Sequence, residues 1–338
     1  GGAGVSAVYV AIRRNSDNYW WSASDAQFAS AEGDNNASGT NPWSINITAG
    51  LLDNVSYYVQ SSARDQAGLI EAYPGYSPRT FWIDYSSPTS GITQPVDGKY
   101  YKALASLKGT ASDITAGVKE AGILLQDLIN GASYWNAVAL AWETSPVYST
   151  ASVTGTKPDY NWELSKLPSF VQETRYLAVS RGKDNSEPVL TQTVFNAGVS
   201  SNSFVYDVIK PTSVITLPVN NGIYGGPGNP IGTIRGTGFD SDTAYTGGPA
   251  AAQKRVEKAY LAAKEDWTTM WWDVSKGTFS AASAIWYAGT FDTGDKWYWT
   301  GASTPTYASG KKYLLRTRTT DYAGNEEDSF TSGKNEVV

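Results

Sequence analysis

The stretch FWIDYSSPTS at Phe81–Ser90 recurs 123 residues later as FVYDVIKPTS at Phe204–Ser213. Each copy combines an aromatic strand that ends in Asp with a Pro-Thr-Ser linker at equal spacing. Self-similarity at a fixed period indicates that one structural unit is used several times along a chain. The sequence therefore predicts tandem repeats joined by short linkers.

The same order of landmarks continues on both sides of this stretch. After each linker the chain restarts alike, with ITQPVDGKY at Ile92–Tyr100 and ITLPVNNGIY at Ile215–Tyr224. A later strand occurs in all three units, and its alternate residues form an apolar set with the period of two that a sandwich strand requires. This predicted inward set is Val8, Val10, Ile12, Ala121, Ile123, Leu125, Ala259, Leu261 and Ala263.

Composition restricts the function. The 338-residue chain contains no Cys and no His, which excludes thiolate chemistry, the usual zinc ligands and every Ser-His-Asp arrangement. A net charge of -6 argues against nucleic acid as a partner, since that needs a basic face. The apolar runs fall short of the roughly 18 residues of a membrane span. We therefore expect no enzyme, no nucleic-acid partner and no membrane span in this segment.

The landmarks predict an all-β chain of three tandem immunoglobulin-like β-sandwich domains in a semi-rigid line. Each unit has room for about seven short strands, which is typical of that sandwich. The predicted domains are residues 1–86, which lack their first strands, residues 87–209, which form a complete repeat, and residues 210–338, which carry an inserted loop and are truncated in the last strand.

One segment conflicts with this pattern. Residues 250–265 are rich in strong helix formers and, taken alone, predict a helix. Both corresponding segments in the other repeats are strands, and tertiary context commonly overrides propensity. We expect a strand from about Val256 and an inserted loop that includes Ala250–Lys254.

In these motifs the chain resembles the tandem immunoglobulin-like and fibronectin type III-like repeats of very large bacterial surface proteins. The resemblance rests on the Pro-Thr-Ser linker, the Pro-x-Asp/Asn opening, and three short sequence motifs at Gly109–Asp113, Tyr134–Asn136 and Asp321–Asn325. It covers almost the whole chain and implies an extracellular or cell-surface location. Such repeats are similar to spacers, adhesin stalks and appendage subunits, so the resemblance implies a structural or adhesive role.

The two ends raise a separate expectation. A sandwich that lacks strands exposes hydrophobic edges unless something fills the gap. Either the chain is cut from a longer one, which is the favoured interpretation, or a neighbouring chain donates strands. We expect the partners to be copies of the same chain or further repeats, with surface glycans as an additional partner class.

Acidic residues near the repeat boundaries are the metal candidates. Calcium takes six to eight oxygen ligands, which acidic loops between tandem sandwiches can supply. The alternative, that each Asp caps a turn through its own backbone, is favoured because no dense Asp-x-Asp-x-Asp run is present. No cofactor is then required. Asp113, Asp240, Asp242, Asp321 and Asn325 are the calcium candidates, and Asp84, Asp207, Asp65 and Asp184 occupy related positions.

Aromatic residues are the candidates for contacts with a partner or a glycan. Neighbouring residues of a strand point to opposite faces, so one of Trp20 and Trp21 and one of Trp271 and Trp272 should lie outward. Trp135 holds the corresponding position in the second repeat. The alternative is that these recurring tryptophans pack the sandwich core.

Together these features predict a non-catalytic extracellular structural or adhesive protein. It would act as a spacer or assembly unit of a surface filament, layer or adhesin stalk, polymerising through its incomplete terminal domains. The alternative is a carbohydrate-binding module that uses exposed Trp and Tyr, or the spacer region of a secreted glycan-active enzyme.

Overall fold

The computed structural model describes residues 4–47, 50–71, 78–131, 133–225, 231–241, 256–292, 294–300 and 304–338. The described residues form strands, turns and loops and contain no helix. No described segment is therefore a helix long and apolar enough to cross a membrane. The all-β prediction is confirmed.

The described part of the first repeat forms one sheet. Its strands are β1 (Val5–Arg14), β2 (Tyr19–Ser22), β3 (Gln27–Ala29), β4 (Asn35–Asn36), β5 (Val55–Asp65) and β6 (Arg79–Ile83). Their order is β3-β2-β1-β5-β6, and β4 pairs with β1. The segment between β4 and β5 packs on the apolar face of this sheet through Ala37, Ile45, Ile47 and Leu51.

The second repeat forms two sheets. Its strands are β7 (Thr89–Gln94), β8 (Lys99–Tyr101), β9 (Leu107–Ser112), β10 (Val118–Asp127), β11 (Tyr134–Asn136), β12 (Ala141–Glu143), β13 (Ser149–Thr150), β14 (Ser152–Thr156), β15 (Asp159–Leu164), β16 (Thr174–Asp184) and β17 (Ser201–Tyr206). One sheet has the order β12-β11-β10-β16-β17-β8, with β13 paired to β10, and the other has the order β14-β15-β9-β7. Strands β17 and β8 pair in parallel.

The described part of the third repeat also forms two sheets. Its strands are β18 (Thr212–Leu217), β19 (Thr233–Phe239), β20 (Val256–Glu265), β21 (Trp271–Asp273), β22 (Thr278–Ala281), β23 (Tyr287–Ala288), β24 (Thr290–Phe291), β25 (Lys296–Thr300), β26 (Tyr313–Asp321) and β27 (Glu336–Val337). The orders are β18-β19-β25-β24 and β22-β21-β20-β26-β27, with β23 paired to β20. The strand predicted from Val256 is confirmed, whereas Ala250–Lys254 lie outside the described residues.

The central strand pair is the same in each repeat. Strand β1 pairs with β5, β10 with β16 and β20 with β26, and each pair has a register shift after its first residue. The first residue is always a Val opposite an Asp: Val5 opposite Asp65, Val118 opposite Asp184, and Val256 opposite Asp321. This common register places one Asp at the same end of each repeat.

The core follows the predicted alternation. Every residue of the predicted inward set is buried, because strand residues two apart share a face. Three separate clusters of buried hydrophobic residues accompany the three predicted repeats. In the second and third repeats, a glycine opposite a tryptophan lets the indole lie on the facing strand, as in Gly109 with Trp162 and Gly236 with Trp297.

A tyrosine fixes the start of the second strand of each central pair. The hydroxyl group of Tyr57 accepts the amide of Leu52 at 2.7 Å, and Tyr176 accepts that of Val171 at 2.9 Å. In the third repeat Tyr313 makes the same bond to the amide of Ala308 at 2.8 Å. This is the arrangement of the tyrosine corner of immunoglobulin-like sandwiches, in which a buried phenol satisfies a loop amide.

Candidate metal centres at the repeat junctions

Three aspartates meet where residues 1–86 join residues 87–209, a place called here the first junction. Asp84 follows β6, Asp113 follows β9 and Asp184 ends β16. One carboxylate oxygen from each lies within 4.8 Å of the other two. Asp113 and Asp184 are buried and Asp84 is half-buried. The first junction therefore joins a carboxylate of one repeat to two carboxylates of the next.

Most of these oxygens accept hydrogen bonds from nearby amides. Asp113 Oδ1 accepts from the amides of Thr115 at 3.0 Å and Gly117 at 2.8 Å. Asp84 Oδ2 accepts the amide of Ala116 at 3.0 Å, a bond that crosses the first junction. These bonds order the 113–117 loop of the second repeat around the end of the first.

Asp184 has one buried carboxylate oxygen that lacks a donor. Its Oδ1 accepts the amide of Ser186 at 3.1 Å, the hydroxyl of Ser186 at 2.7 Å and the amide of Leu190 at 2.9 Å. Its Oδ2 is buried and has no hydrogen-bond partner among the described residues, although Asp184 is 0% exposed. A buried carboxylate oxygen without a hydrogen-bond partner destabilises the folded state, because the oxygen has lost its contacts with water and gained none in return.

The same three positions meet again where residues 87–209 join residues 210–338, the second junction. Asp207 follows β17, Asp240 follows β19 and Asp321 ends β26. All three are buried, and one oxygen from each lies within 4.8 Å of the others. The equivalence follows from the repeated register, which places the end of one repeat against the same two strand ends of the next.

Asn325 distinguishes the second junction from the first. Its amide N–H donates to Asp321 Oδ1 at 2.8 Å, and its side-chain Nδ2 donates to Asp321 Oδ2 at 2.8 Å. The same Nδ2 also donates to the carbonyl oxygen of Asp207 at 3.0 Å, across the second junction. Both oxygens of Asp321 are therefore hydrogen-bonded by protein groups.

The pKa shifts of the clustered carboxyl groups have different causes at the two junctions. Burial raises the pKa of the Asp84 carboxyl, and the charges of Asp113 and Asp184 raise it further, against the amide donors. Burial also raises the pKa of Asp321, although the side chain and amide of Asn325 oppose this. Among the described residues, none of the ion pairs includes Asp84, Asp113 or Asp184.

Further contacts hold each junction. At the first, the hydroxyl of Thr115 bonds Asn54 Oδ1, and Lys157 Nζ lies 5.6 Å from the ring centroid of Trp82. At the second, the rings of Tyr100 and Tyr322 are 6.1 Å apart. The second junction is tied further by contacts from Lys102 Nζ to the carbonyl of Gly324 and from Ser241 Oγ to Glu173 Oε1.

Of the five sequence candidates, Asp113, Asp240 and Asp321 lie in these two clusters, and Asn325 donates a hydrogen bond to Asp321. The fifth, Asp242, lies outside the described residues. Asp84, Asp184 and Asp207 complete the clusters, and their equal places in the repeats were the available signal. Asp65 holds the register of Asp184 but belongs to no group of three acidic residues in the described part of the chain.

The aromatic candidates are placed mainly inside the fold. Trp21, Trp135, Trp271 and Trp272 are buried, so they cannot meet a partner, and only Trp20 is partly exposed. The expectation that Trp271 or Trp272 points outward was wrong. A register shift between these two residues in the pairing of β21 with β22 breaks the alternation, and the guanidinium of Arg316 lies 5.6 Å from the ring of Trp271.

Comparisons with known proteins return structural likeness alone. No protein-family model matches the chain, and no curated protein matches it. Fibronectin(III)-like modules of Clostridium thermocellum CbhA align with a TM-score of 0.34 and 12% identity over 74% of this chain and 92% of that one. The extracellular cadherin domains 1–5 of protocadherin gamma B2 align with a TM-score of 0.21 and 10% identity, over 97% of this chain and 51% of that one.

A Streptomyces avermitilis alpha-L-rhamnosidase complexed with L-rhamnose aligns with a TM-score of 0.18 and 11% identity, over 100% of this chain and 37% of that one. At these identities and scores the comparisons assign no function.

Proposed function

We propose that this chain is a non-catalytic extracellular structural protein that serves as a spacer in a surface filament, layer or adhesin stalk. The observation that carries the proposal is the equivalence of the two junctions. At each one the Asp that ends a repeat meets the same two strand ends of the next repeat. Contacts that recur at every boundary are what a protein built to extend in one direction needs, because each added unit then takes a defined orientation.

The side chains support a structural role over a chemical one. The chain has no His and no Cys, so the commonest general base and the thiol nucleophile are absent. The acidic groups that cluster lie at repeat boundaries and are engaged by loop amides. Their placement serves to join repeats.

Small-angle X-ray scattering of the full chain tests the proposal. A single globule of this length has a radius of gyration of about 20 Å, whereas three units of one third the length in a line give about 30 Å. We expect a value near the larger one and a distance distribution with a long tail. A compact particle near the smaller value would contradict the spacer function.

A carbohydrate-binding role is the competing outcome. Trp267 is 73% exposed and lies in the loop between β20 and β21, so it offers the most accessible indole face for a sugar ring. We expect no retention of the chain on insoluble polysaccharides. Retention that is lost in Trp267→Ala, with the wild-type fold preserved by circular dichroism, would replace the spacer proposal with glycan binding.

A further inference from the structure

We propose that the first junction is a calcium site formed by Asp84, Asp113 and Asp184, and that the second junction is closed by Asn325 and needs no cation. The two junctions have three aspartates in equivalent positions, but they differ in the side chain that lies beside these aspartates. The mechanical consequence of the site rests on the spacer function proposed above, whereas binding itself does not.

The unpartnered oxygen of Asp184 points to a ligand. Oδ1 of this buried residue is already held by Ser186 and Leu190, so Oδ2 is the oxygen that remains available to the cluster. No ion pair of the described residues neutralises the cluster, and the nearby Lys157 Nζ donates instead to the carbonyl of Thr115 at 2.8 Å. A divalent cation would satisfy the oxygen and offset the repulsion of three carboxylates.

The reason for the missing donor lies in one side chain. Asp321 N donates to the carbonyl of Asn325 at 3.1 Å, while Asn325 N donates to Asp321 Oδ1. Asp184 exchanges the same two bonds with Leu190, at 3.2 Å and 2.9 Å. Leu190 is therefore the counterpart of Asn325, and its apolar side chain has no N–H to offer to Asp184 Oδ2.

The chemistry of the site favours calcium. All donors are oxygens, which suits a hard cation, and the chain has no His or Cys to bind a softer one. Carboxylate oxygens within 4.8 Å of one another can be bridged by an ion whose oxygen distances are about 2.3–2.6 Å. Calcium accepts an irregular set completed by carbonyls and water, whereas magnesium demands near-ideal octahedral geometry.

The position of the site defines its effect. Asp84 comes from the first repeat, whereas Asp113 and Asp184 come from the second, so one ion would connect two repeats. A chelator should then loosen the first junction and leave the second unchanged, because Asn325 already links Asp321 to the carbonyl of Asp207.

Isothermal titration of the chelator-treated full chain with CaCl₂ tests the proposal. We expect one site per chain, weakened at least tenfold in Asp184→Asn and in Asp84→Asn, and retained in the matched variant Asp321→Asn. Leu190→Asn should weaken binding as well, because its amide would occupy Oδ2. Circular dichroism of each variant checks that the fold is intact, and Asp84→Asn, at the half-buried position, guards against misfolding of the buried variant.

Several results would overturn the proposal. These are no heat of calcium binding in the wild-type chain, binding unchanged by both Asp184→Asn and Asp84→Asn, or loss of binding in Asp321→Asn with the first junction intact. Tighter binding of MgCl₂ than of CaCl₂ in the same titration would overturn the assignment to calcium. Scattering with and without CaCl₂ separates the two proposals: binding without a change in the distance distribution leaves the metal site standing and removes its mechanical role.

Discussion

Replacing Asn325 by Leu should leave the second junction, like the first, with a buried carboxylate oxygen that has no donor. The side-chain Nδ2 of Asn325 donates to Asp321 Oδ2 at 2.8 Å and to the carbonyl oxygen of Asp207 at 3.0 Å, and the substitution removes both bonds. Leu has the same branched arrangement of four side-chain heavy atoms, with two larger methyl groups in place of the amide oxygen and nitrogen. Asp321 is only 1% exposed, and water cannot readily replace the lost donor.

The size of the effect follows from these two bonds. A hydrogen bond to a charged acceptor contributes about 1.5–3 kcal/mol and one to a neutral carbonyl about 0.5–1.5 kcal/mol. Their loss should lower the free energy of unfolding of Asn325→Leu by about 2–4.5 kcal/mol in the presence of a chelator. The bond from the amide N–H of residue 325 to Asp321 Oδ1 remains, which keeps the turn in place.

Calorimetric unfolding in chelator, repeated with CaCl₂, measures this change. We expect a lower transition temperature for Asn325→Leu. Calcium should raise this temperature more than that of the wild-type chain, because the substitution leaves Asp321 Oδ2 without a donor and so available to the ion. Leu190→Asn is the reciprocal control and should raise stability in chelator. An Asn325→Leu chain with wild-type stability in chelator would refute the argument that the amide satisfies Asp321.

Three further predictions concern the fold. Gly109→Ala should lower the free energy of unfolding by about 1–3 kcal/mol, because the added Cβ would stand 1.9 Å from the carbonyl oxygen of Gly91 and 2.3 Å from Cζ2 of Trp162; urea denaturation measures it. Tyr176→Phe should lower the same quantity by about 0.5–1.5 kcal/mol by removing the bond that the amide of Val171 makes to the phenol. Trp267→Ala should change it by less than about 0.5 kcal/mol, because this side chain is 73% exposed.

Two matched control variants make the same chemical change at positions where the contact in question is absent. Gly225→Ala adds the same methyl group where no atom lies within 4 Å, so it should be neutral. Tyr85→Phe removes a hydroxyl from a residue that is 64% exposed, and it should be neutral too. Equal losses in Gly109→Ala and Gly225→Ala would contradict the packing argument, and equal losses in Tyr176→Phe and Tyr85→Phe would contradict the tyrosine corner.

Much of the fold was predictable because it depends on alternation and repetition. A period of two identified the inward residues of β1, β10 and β20, all of which are buried. Comparison of the repeats also led to the correct prediction of a strand from Val256 despite the local helix propensity, since the corresponding segments of the other repeats are strands. The alternation failed at Trp271 and Trp272, where a register shift buries both side chains.

By itself, the sequence determined the repeating unit, the inward faces of its strands and the presence of an Asp at each strand end near a boundary. Only the tertiary structure decided which aspartates meet and which of their oxygens lacks a donor. The reason is a difference in turn length: Leu190 lies six residues after Asp184, whereas Asn325 lies four residues after Asp321. Their equivalence rests on shared backbone hydrogen bonds, which linear spacing does not reveal.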